Sequence, residues 1–254
     1  MSAPLLRLSG IARTFQTREG STIEALGGID LEIGGGDFLT VVGPSGCGKS
    51  TMLRIVAGLL EQSAGEICLR GNPIRGPQRE FGIVFQAPVL FPWRTVLGNV
   101  LVPATILGLD REASAKRARD LLVLLGLAGT EGKYPYELSG GMQQRVAIAR
   151  ALIHDPATLL MDEPFGALDA MTRENLNVEL LRLWEESRKT ILFITHSIPE
   201  AAFLASRVLV LSARPGRVKG IIPVDLPYPR DIALLASDRL GAYVARIRAM
   251  LEEA

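Results

Sequence analysis

Apolar runs and helical repeats alternate along most of this chain. Short continuous apolar runs are typical of strands buried in a sheet, and they occupy residues 38–42, 81–85, 158–161, 190–195 and 208–211. Apolar positions that recur every three or four residues indicate the buried face of a helix, and they occupy residues 51–57, 142–153 and 172–186. This alternation of strands and helices predicts an α/β domain.

Two other stretches depart from that alternation. Residues 5–36 predict short strands and turns, because Leu6-Arg7-Leu8 and the stretch 29–33 alternate as half-buried strands do. Residues 87–136 are broken into short pieces by prolines and then contain a predicted helix at 113–125. We therefore expect a mostly helical lobe, at about residues 87–155, inserted into the α/β core.

The C-terminal part of the chain divides into a tail and a helix. Residues 214–236 are rich in proline and arginine and predict an extended tail. Residues 238–250 predict an amphipathic helix, whose apolar side contains Leu240, Tyr243, Val244, Ile247 and Leu251. Docking on its own domain and docking on a partner are both open. We assign residues 5–236 to one domain and residues 237–254 to this C-terminal helix.

The composition narrows the class of protein. The chain has 254 residues, of which 48% are hydrophobic, enough for one large α/β domain. A formal net charge of +1 argues against a broad electrostatic attraction to nucleic acid. Cys47 and Cys68 are the only cysteines, which favours a reducing compartment without a structural disulfide. The sequence has neither a secretion-signal pattern nor an apolar window long enough for a bilayer, so we expect no membrane-spanning segment.

One glycine-rich stretch carries the strongest chemical signal. It reads Gly43-Pro44-Ser45-Gly46-Cys47-Gly48-Lys49-Ser50-Thr51 and lies between a predicted strand and a predicted helix. Glycines let the backbone curve around an anion, and the helix N-terminus adds a partial positive charge. Lys49 is placed to reach the β- and γ-phosphates of a nucleotide, and the Ser50 hydroxyl is suited to Mg²⁺. The competing interpretation is a glycine-rich turn with a chance lysine.

A second anion-binding pattern lies further along the chain. Ser139, Gly140 and Gly141 open the predicted helix at residues 142–153, with Ser139 as a plausible N-cap. A serine, two glycines and a helix N-terminus together favour an anion. The competing interpretation is an ordinary capped helix.

Polar side chains follow three of the predicted buried strands. Asp162 and Glu163 close one strand, Gln86 follows another, and His196 stands at the end of a third. Ligand sites in α/β proteins form at the carboxyl ends of strands. One carboxylate can hold Mg²⁺ while the other accepts a proton from an attacking water, although an exposed acidic turn is the alternative. The position of Gln86 allows two interpretations. One is a contact with a metal or a water molecule, and the other is an ordinary residue of a solvated loop.

Two stretches with aromatic residues each leave two interpretations open. Phe15, near the start of the chain, fits either stacking on an adenine ring or burial in the core. The segment Val89-Leu90-Phe91-Pro92-Trp93 is unusually apolar for a loop. It fits either a partner-binding patch or a part of the core.

Taken together and in this order, the motifs resemble an ATP-binding cassette ATPase over about residues 5–215. The Leu138-Ser139-Gly140-Gly141 element, which is specific to that superfamily, and the loop Ala167-Leu168-Asp169 add to the motifs above. The resemblance implies a P-loop NTPase core with a mainly parallel sheet, an N-terminal antiparallel β subdomain and an inserted helical subdomain. Residues 81–96 and the tail from Arg214-Pro215-Gly216-Arg217 are similar to import ATPases for nitrate, sulfonate or taurine. Importers of thiamine precursors share much of this pattern.

The resemblance implies a role for each motif toward ATP. Phe15 would stack on the adenine, and the backbone of residues 43–51 together with Lys49 would hold the phosphates. Glu163 would be the general base, and His196 would contact the γ-phosphate. Three side chains would bind Mg²⁺, directly or through water: Ser50, Gln86 and Asp162.

The resemblance also implies partners. Ser139, Gly140 and Gly141 would bind the γ-phosphate of ATP held by a second copy, and Asp169 would lie across the same interface. The copies would work with a membrane permease, and indirectly a solute-binding protein, at the cytoplasmic face of the membrane. The alternative is a non-transport cassette ATPase acting in nucleic-acid repair or translation, which the near-neutral charge and the single cassette disfavour. P-loop kinases and switch NTPases lack the Leu-Ser-Gly-Gly helix start.

Overall fold

The computed structural model describes residues 4–17, 19–166 and 168–253 of the chain. These residues divide into two compact units. Unit 1 comprises the residues up to Gln78 together with those from Asn177 onward, and unit 2 is Arg79–Leu176. Ala167, which belongs to the loop predicted before Asp169, lies outside the described residues.

Both units contain strands and helices. The strands are β1 (Leu6–Gln16), β2 (Thr22–Ile33), β3 (Phe38–Val42), β4 (Ala64–Leu69), β5 (Asn72–Pro73), β6 (Phe81–Val84), β7 (Thr158–Asp162), β8 (Thr190–Ile194), β9 (Arg207–Leu211) and β10 (Val218–Pro223). The helices are α1 (Lys49–Val56), α2 (Val96–Val100), α3 (Val102–Ile106), α4 (Arg111–Leu124), α5 (Gly140–Leu152), α6 (Ala170–Ser187), α7 (Ile198–Leu204) and α8 (Asp238–Glu252). The predicted α/β class is confirmed.

An antiparallel sheet at the N-terminal end of unit 1 has the strand order β2-β1-β4-β5. Strands β1 and β2 are 11 and 12 residues long, so the prediction of short strands in residues 5–36 is wrong. Their pairing shifts register between Leu8 and Ile11 and again beyond Ile11. Such bulges interrupt the two-residue alternation that marks a strand in a sequence, so only parts of each strand show it.

A second sheet of unit 1 has β3 between the parallel strands β8 and β9. All residues of β3 and β8 are buried, as their continuous apolar runs predict. Strand β10 pairs with β9 in the antiparallel direction. The prediction of an extended tail in residues 214–236 is therefore wrong in part. Backbone groups of β9 supply hydrogen-bond partners for β10, which a composition rich in proline and arginine does not reveal.

Helix α8 packs on unit 1, which decides between its two predicted docking modes. Leu240 and Ile247 on its apolar side are 1% and 0% exposed. The Lys219 ammonium on β10 donates a hydrogen bond to the carbonyl of Met250 at 2.8 Å and so caps the last turn of α8. The backbone N–H of Asp225 donates to the hydroxyl of Tyr243 at 3.0 Å. The helix therefore docks on its own domain.

Unit 2 combines the parallel pair β6 and β7 with helices α2 to α5. Gly82 on β6 lies so close to α5 that an added Cβ would come within 2.4 Å of the Ala151 carbonyl oxygen. Val146, Ala149 and Leu152 supply the buried side of α5. Among the helices of the described residues, none is both long enough and apolar enough to cross a membrane.

Candidate functional site

The glycine-rich loop of unit 1 connects β3 to α1, as the sequence predicts. Gly48 is the N-cap of α1 with φ of 101°, and a Cβ there would lie 2.7 Å from the Ala25 carbonyl oxygen. A Cβ on Gly43 would lie 2.8 Å from the Cys47 sulfur. Both positions therefore exclude larger residues. Helix α1 begins at Lys49, two residues before its predicted start, so Ser50 and Thr51 lie in its first turn.

Lys49 lies folded against the loop that precedes it. Its side chain is nearly buried, at 8% exposure, and its ammonium donates hydrogen bonds to the carbonyls of Gly43 at 2.7 Å and Pro44 at 3.0 Å. An ionised phosphate oxygen is a stronger acceptor than a neutral carbonyl. The Lys49 ammonium therefore lies beside the N-terminus of α1, where an anion is favoured.

A second cation, which the sequence reasoning did not assign to this site, holds the same loop. The Arg214 guanidinium donates from Nε and Nη2 to the Gly46 carbonyl, at 3.3 and 3.2 Å. The turn containing Arg214 is fastened by Gly216, whose N–H donates to Ala25 and whose carbonyl accepts from Gly27, both at 3.0 Å. The only sequence signal was the Arg214-Pro215-Gly216-Arg217 string, which pointed to a sub-family and not to a contact.

Phe15 and His196 also belong to unit 1, and both side chains are exposed. Phe15 lies on β1 with 37% of its surface exposed, so the interpretation that it belongs to the core is wrong. The Arg13 guanidinium lies 4.7 Å from the centre of its ring. His196 lies two residues beyond the end of β8, and the next residue, Ser197, is the N-cap of α7.

The acidic pair of unit 2 stands where β7 ends, as predicted. Asp162 is 4% exposed, so the interpretation as an exposed acidic turn is wrong. Glu163 has a positive φ of 46°, a conformation that few residues other than glycine adopt. Its carbonyl accepts a hydrogen bond from the Gly166 N–H at 3.1 Å, which closes the turn. Strained backbone of this kind is frequent at functional sites.

Gln86 and Glu163, 77 positions apart in the chain, meet in unit 2. The Gln86 amide donates from Nε2 to Oε2 of Glu163 at 3.2 Å. Gln144 of α5, which the sequence reasoning did not single out, is 1% exposed and donates to the Phe85 carbonyl at 2.9 Å. This buried bond holds the backbone just before Gln86. Gln86 thus contacts the carboxylate that the resemblance assigns as the general base.

The start of α5 is an open helix N-terminus with the predicted cap. The Ser139 hydroxyl accepts a hydrogen bond from the Met142 N–H at 3.3 Å. Ser139 and Gly140 are exposed, and Gly141 is half-buried. The Gln143 amide donates to the carbonyls of Pro135 and Leu138, which holds the segment before the cap. The first N–H groups of a helix have no partner within the helix, so those of Gly140 and Gly141 are suited to an anion.

Asp169 caps the N-terminus of α6. Its carboxylate accepts a hydrogen bond from the Thr172 N–H at 2.9 Å, and this bond lowers the pKa of Asp169 below its usual value. The Arg173 guanidinium donates to the carbonyls of Phe165 and Leu168 and so holds the loop from the other side. Asp169 therefore stays charged at neutral pH, and its side chain is exposed.

The apolar segment after Gln86 lies on the surface of unit 2. Val89 is 62% exposed and Trp93 is 71% exposed, so the interpretation of this segment as core is wrong. Arg150 donates to the carbonyls of Pro88 and Val89, both at 2.9 Å, and burial lowers the pKa of its guanidinium. The segment is thus fixed in place although its side chains face solvent.

Asn99 fixes the other end of that segment. It is fully buried, and its Oδ1 accepts a hydrogen bond from the Phe91 N–H at 2.8 Å. Its Nδ2 donates to the carbonyls of Phe91, Arg94 and Thr95. One buried side chain thereby contacts four backbone groups of the loop, with two amide hydrogens shared among three carbonyls, and it holds the exposed aromatic rings in place.

Comparisons with known proteins agree with these motifs. The ABC transporter family model matches residues 26–166. A Methanocaldococcus jannaschii protein described as an uncharacterized ABC transporter ATP-binding protein is 49% identical over 226 residues, covering 89% of this chain and 84% of that protein. An aliphatic sulfonates import ATP-binding protein of Bacillus licheniformis is 50% identical over 203 residues, covering 80% of this chain and 78% of that protein.

A solved structure is similar in fold and in sequence. It is a dimeric ATP-binding cassette in a post-hydrolysis state, bound to ADP and Pi, with a TM-score of 0.80 and 34% identity. It covers 87% of this chain, and 100% of that cassette is matched. None of these findings supports the alternative function in nucleic-acid repair or translation. This chain therefore belongs to the ABC transporter family, as an ATP-binding subunit that hydrolyses ATP.

Proposed function

We propose that this chain powers the uptake of a small solute through a separate membrane permease. The hydrogen bond from Gln86 to Glu163 carries the proposal. The exposed segment from Val89 to Trp93, which Arg150 and Asn99 hold in place, begins three residues beyond Gln86. A membrane partner bound to that segment would move Gln86, and through it the carboxylate that activates water. Hydrolysis and transport would then be coupled through one short stretch of chain.

In this proposal the motifs bind and hydrolyse ATP as their chemistry allows. The backbone of residues 43–51 and Lys49 hold the phosphates, and Lys49 exchanges its two carbonyl acceptors for phosphate oxygens. Phe15 stacks on the adenine, and its exposed ring supports this role. Glu163 accepts the proton of the attacking water, and His196 donates a hydrogen bond to the γ-phosphate.

The residues assigned to Mg²⁺ suit that ion. Its preferred ligands are oxygen atoms, and the three side chains offer a hydroxyl, an amide and a carboxylate: Ser50, Gln86 and Asp162. The amide nitrogen of Gln86 is already bonded to Glu163, which leaves its carbonyl oxygen for the metal. Bound Mg²⁺ would neutralise charge on the β- and γ-phosphates. It would also place a cation beside the buried carboxylate of Asp162.

A second copy of this chain completes the proposal. Ser139, Gly140 and Gly141 bind the γ-phosphate of the ATP held by the other copy, and Asp169 lies at the same interface. The exposed start of α5 supports this assignment, since its cap is satisfied locally while its first turn stays open. The similar cassette solved as a dimer with ADP and Pi is a second support.

We further propose that the transported solute is an aliphatic sulfonate, because relatives with 45–50% identity are named for sulfonate import. The chain would act at the cytoplasmic face of the membrane, with a solute-binding protein delivering the sulfonate to the permease. Nitrate, taurine and thiamine precursors are the alternatives that the sequence raised. Within this proposal, residues 5–236 form the ATPase domain, with the helical lobe at about 87–155, and residues 237–254 form the C-terminal helix.

Solute uptake by cells tests the proposal. Cells that lack this chain are complemented with the wild type or with Glu163→Gln, and uptake is measured with labelled ethanesulfonate, nitrate, taurine or a thiamine precursor in turn. We expect uptake of ethanesulfonate with the wild type alone. Uptake of all four solutes that is equal with and without the chain would contradict the proposed importer role. Uptake of nitrate or a thiamine precursor that depends on the chain, without uptake of ethanesulfonate, would keep the importer and replace its solute.

A further inference from the structure

A buried hydrogen-bonded cluster lies directly behind His196 in unit 1. Glu200 of α7 is 7% exposed, Thr195 is 3% exposed and Asn177 is 4% exposed. The Thr195 hydroxyl donates to Oε2 of Glu200 at 2.5 Å, and the Asn177 amide donates to Oε1 at 3.3 Å. Each oxygen of this carboxylate thus receives at least one hydrogen bond. His196 itself is exposed at the surface.

The cluster holds the backbone on both sides of His196. On one side, Thr195 is tied to the central strand β3, because its N–H donates to the Val41 carbonyl at 3.3 Å. On the other side, the Ser197 N–H donates to the Thr195 hydroxyl oxygen at 3.0 Å. The Ser197 hydroxyl in turn accepts from the Glu200 N–H at 3.4 Å. The positions before and after His196 are therefore linked through Thr195 and Glu200.

The buried carboxylate of Glu200 has lost most of its contact with water. Removing a charged group from water is costly unless strong hydrogen bonds replace the lost hydration, and an apolar residue would pack there without that cost. Glu200 accepts a hydrogen bond from the Thr195 hydroxyl, which replaces part of that hydration. That bond directs the hydroxyl hydrogen of Thr195 toward Glu200, so a lone pair of the hydroxyl oxygen faces Ser197. The Glu200 carboxylate thus sets the orientation of the Thr195 hydroxyl, which links the residues on either side of His196.

The opposite end of α7 is held independently. The Arg230 guanidinium donates to the carbonyls of Phe203 at 2.7 Å and Ala205 at 3.0 Å, at the C-terminal end of the helix. Loss of the Glu200 side chain would therefore release the end of α7 next to His196 while its C-terminal end stays in place. The expected result is a mobile His196 in a folded protein.

We propose that Glu200 is a positioning residue for His196, acting through Thr195 and the Ser197 backbone. The inference rests on the proposed function, in which His196 contacts the γ-phosphate of ATP. In this proposal Glu200 acts through the backbone next to His196 and not by contact with the nucleotide or the attacking water. Its effect is to keep the His196 backbone in the one arrangement that presents the imidazole when the γ-phosphate arrives.

Steady-state ATP hydrolysis by the full chain tests this inference. Glu200→Ala should lower kcat about tenfold, the effect of losing one charge-assisted hydrogen bond, with little change in KM for ATP. Glu200→Gln should keep most of the activity, because its amide oxygen accepts from Thr195. Its amide nitrogen can then face Oδ1 of Asn177, which lacks a hydrogen-bond partner among the described residues. The matched control is Glu179→Ala, which removes a carboxylate on α6 that is paired with Arg182. This variant should leave kcat unchanged.

A double-mutant cycle separates positioning from general stability. Glu200→Ala should have no further effect on kcat in a His196→Ala background, because the residue it orients is gone. A further loss there, a tenfold rise in KM, or an inactive Glu200→Gln would overturn the inference. Thr195→Val removes the bridging hydroxyl at nearly constant shape, and it should reproduce both results if Glu200→Ala does not fold. A His196→Ala protein with normal kcat would instead contradict the role of His196 in the proposed function.

Discussion

The amide of Gln86 donates a hydrogen bond to the Glu163 carboxylate over 3.2 Å. Glu163 has a left-handed backbone, and Gln86 follows a residue that Gln144 holds through a buried bond. Two side chains from distant parts of the chain thereby contact each other. A substitution at Glu163 can therefore remove the proton acceptor while the shape of this contact is kept.

Glu163→Gln should abolish most hydrolysis while ATP still binds. The substitution keeps the size of the side chain and removes the proton acceptor, so kcat should fall by roughly 10²- to 10⁴-fold, the usual contribution of one acid–base group. Phosphate release and fluorescent ATP binding measure the two effects. Glu112→Gln, an exposed carboxylate in the first turn of α4, is the control and should keep full turnover. Normal turnover in Glu163→Gln would remove Glu163 from the role of base.

Arg214→Met should weaken nucleotide binding and leave kcat nearly unchanged. When phosphate draws Lys49 away from the carbonyls of Gly43 and Pro44, Arg214 would be left to hold the loop through Gly46. We expect Kd for ATP and for ADP to rise about threefold to tenfold, as one charge-assisted bond at an exposed site allows.

Two variants serve as references for that measurement. Lys49→Ala should weaken binding more than Arg214→Met, since it removes the charge that reaches the phosphates. Arg217→Met removes an equal charge from the same exposed turn without touching the Gly46 carbonyl, so its Kd should match the wild type. An equal loss in both arginine variants would show that net charge alone matters and that Arg214 does not hold the loop.

Ser139→Arg should prevent the ATP-dependent dimer and spare ATP binding by the single chain. The added side chain would occupy the open helix start that is proposed to receive the partner's γ-phosphate. Light scattering in a Glu163→Gln background, with and without ATP, measures dimer formation. Ser187→Arg, which adds the same side chain at an exposed position on α6, should still dimerise. A dimer that persists in the Ser139→Arg protein, or that forms equally without ATP, would rule out this arrangement.

Trp93→Ala should impair association with the permease and leave basal hydrolysis intact. The indole is 71% exposed on a loop held by Asn99 and Arg150, so its removal costs little folding energy. Co-purification with the permease and thermal unfolding of the isolated chain measure the two properties. Val123→Ala on α4, where the side chain is 62% exposed, is the matched control. Unfolding of the Trp93 variant at a lower temperature would indicate a packing role instead.

Arg230→Met should destabilise the protein. Arg230 is 3% exposed, and its guanidinium binds backbone carbonyls at the end of α7, as well as that of Leu226, and lies 3.9 Å from the centre of the Tyr228 ring. Methionine leaves those buried carbonyls without donors, so the free energy of unfolding should fall by about 2–4 kcal/mol. Urea denaturation measures the change, with the exposed Arg239→Met as control. An unchanged midpoint would contradict the role of Arg230 in holding the C-terminal segment.

The sequence alone predicted the motifs whose chemistry lies within a few neighbouring residues. The glycine-rich loop with Lys49, the Ser139 cap and the acidic pair after β7 all depend on local spacing, which the chain order records directly. The continuous apolar runs located the buried strands β3 and β8 for the same reason, since burial on both faces leaves no polar position in the run.

Only the tertiary structure decided what lies beside what and which side chains face solvent. Arg214 meets Gly46 across 168 positions and Gln86 meets Glu163 across 77, and such contacts depend on how the sheets bring distant strands together. Exposure of Trp93 likewise depends on what the rest of the fold leaves uncovered, because an apolar side chain has the same identity in a core and on a docking surface. Local pattern therefore determined the chemistry of the motifs, and long-range packing determined their partners.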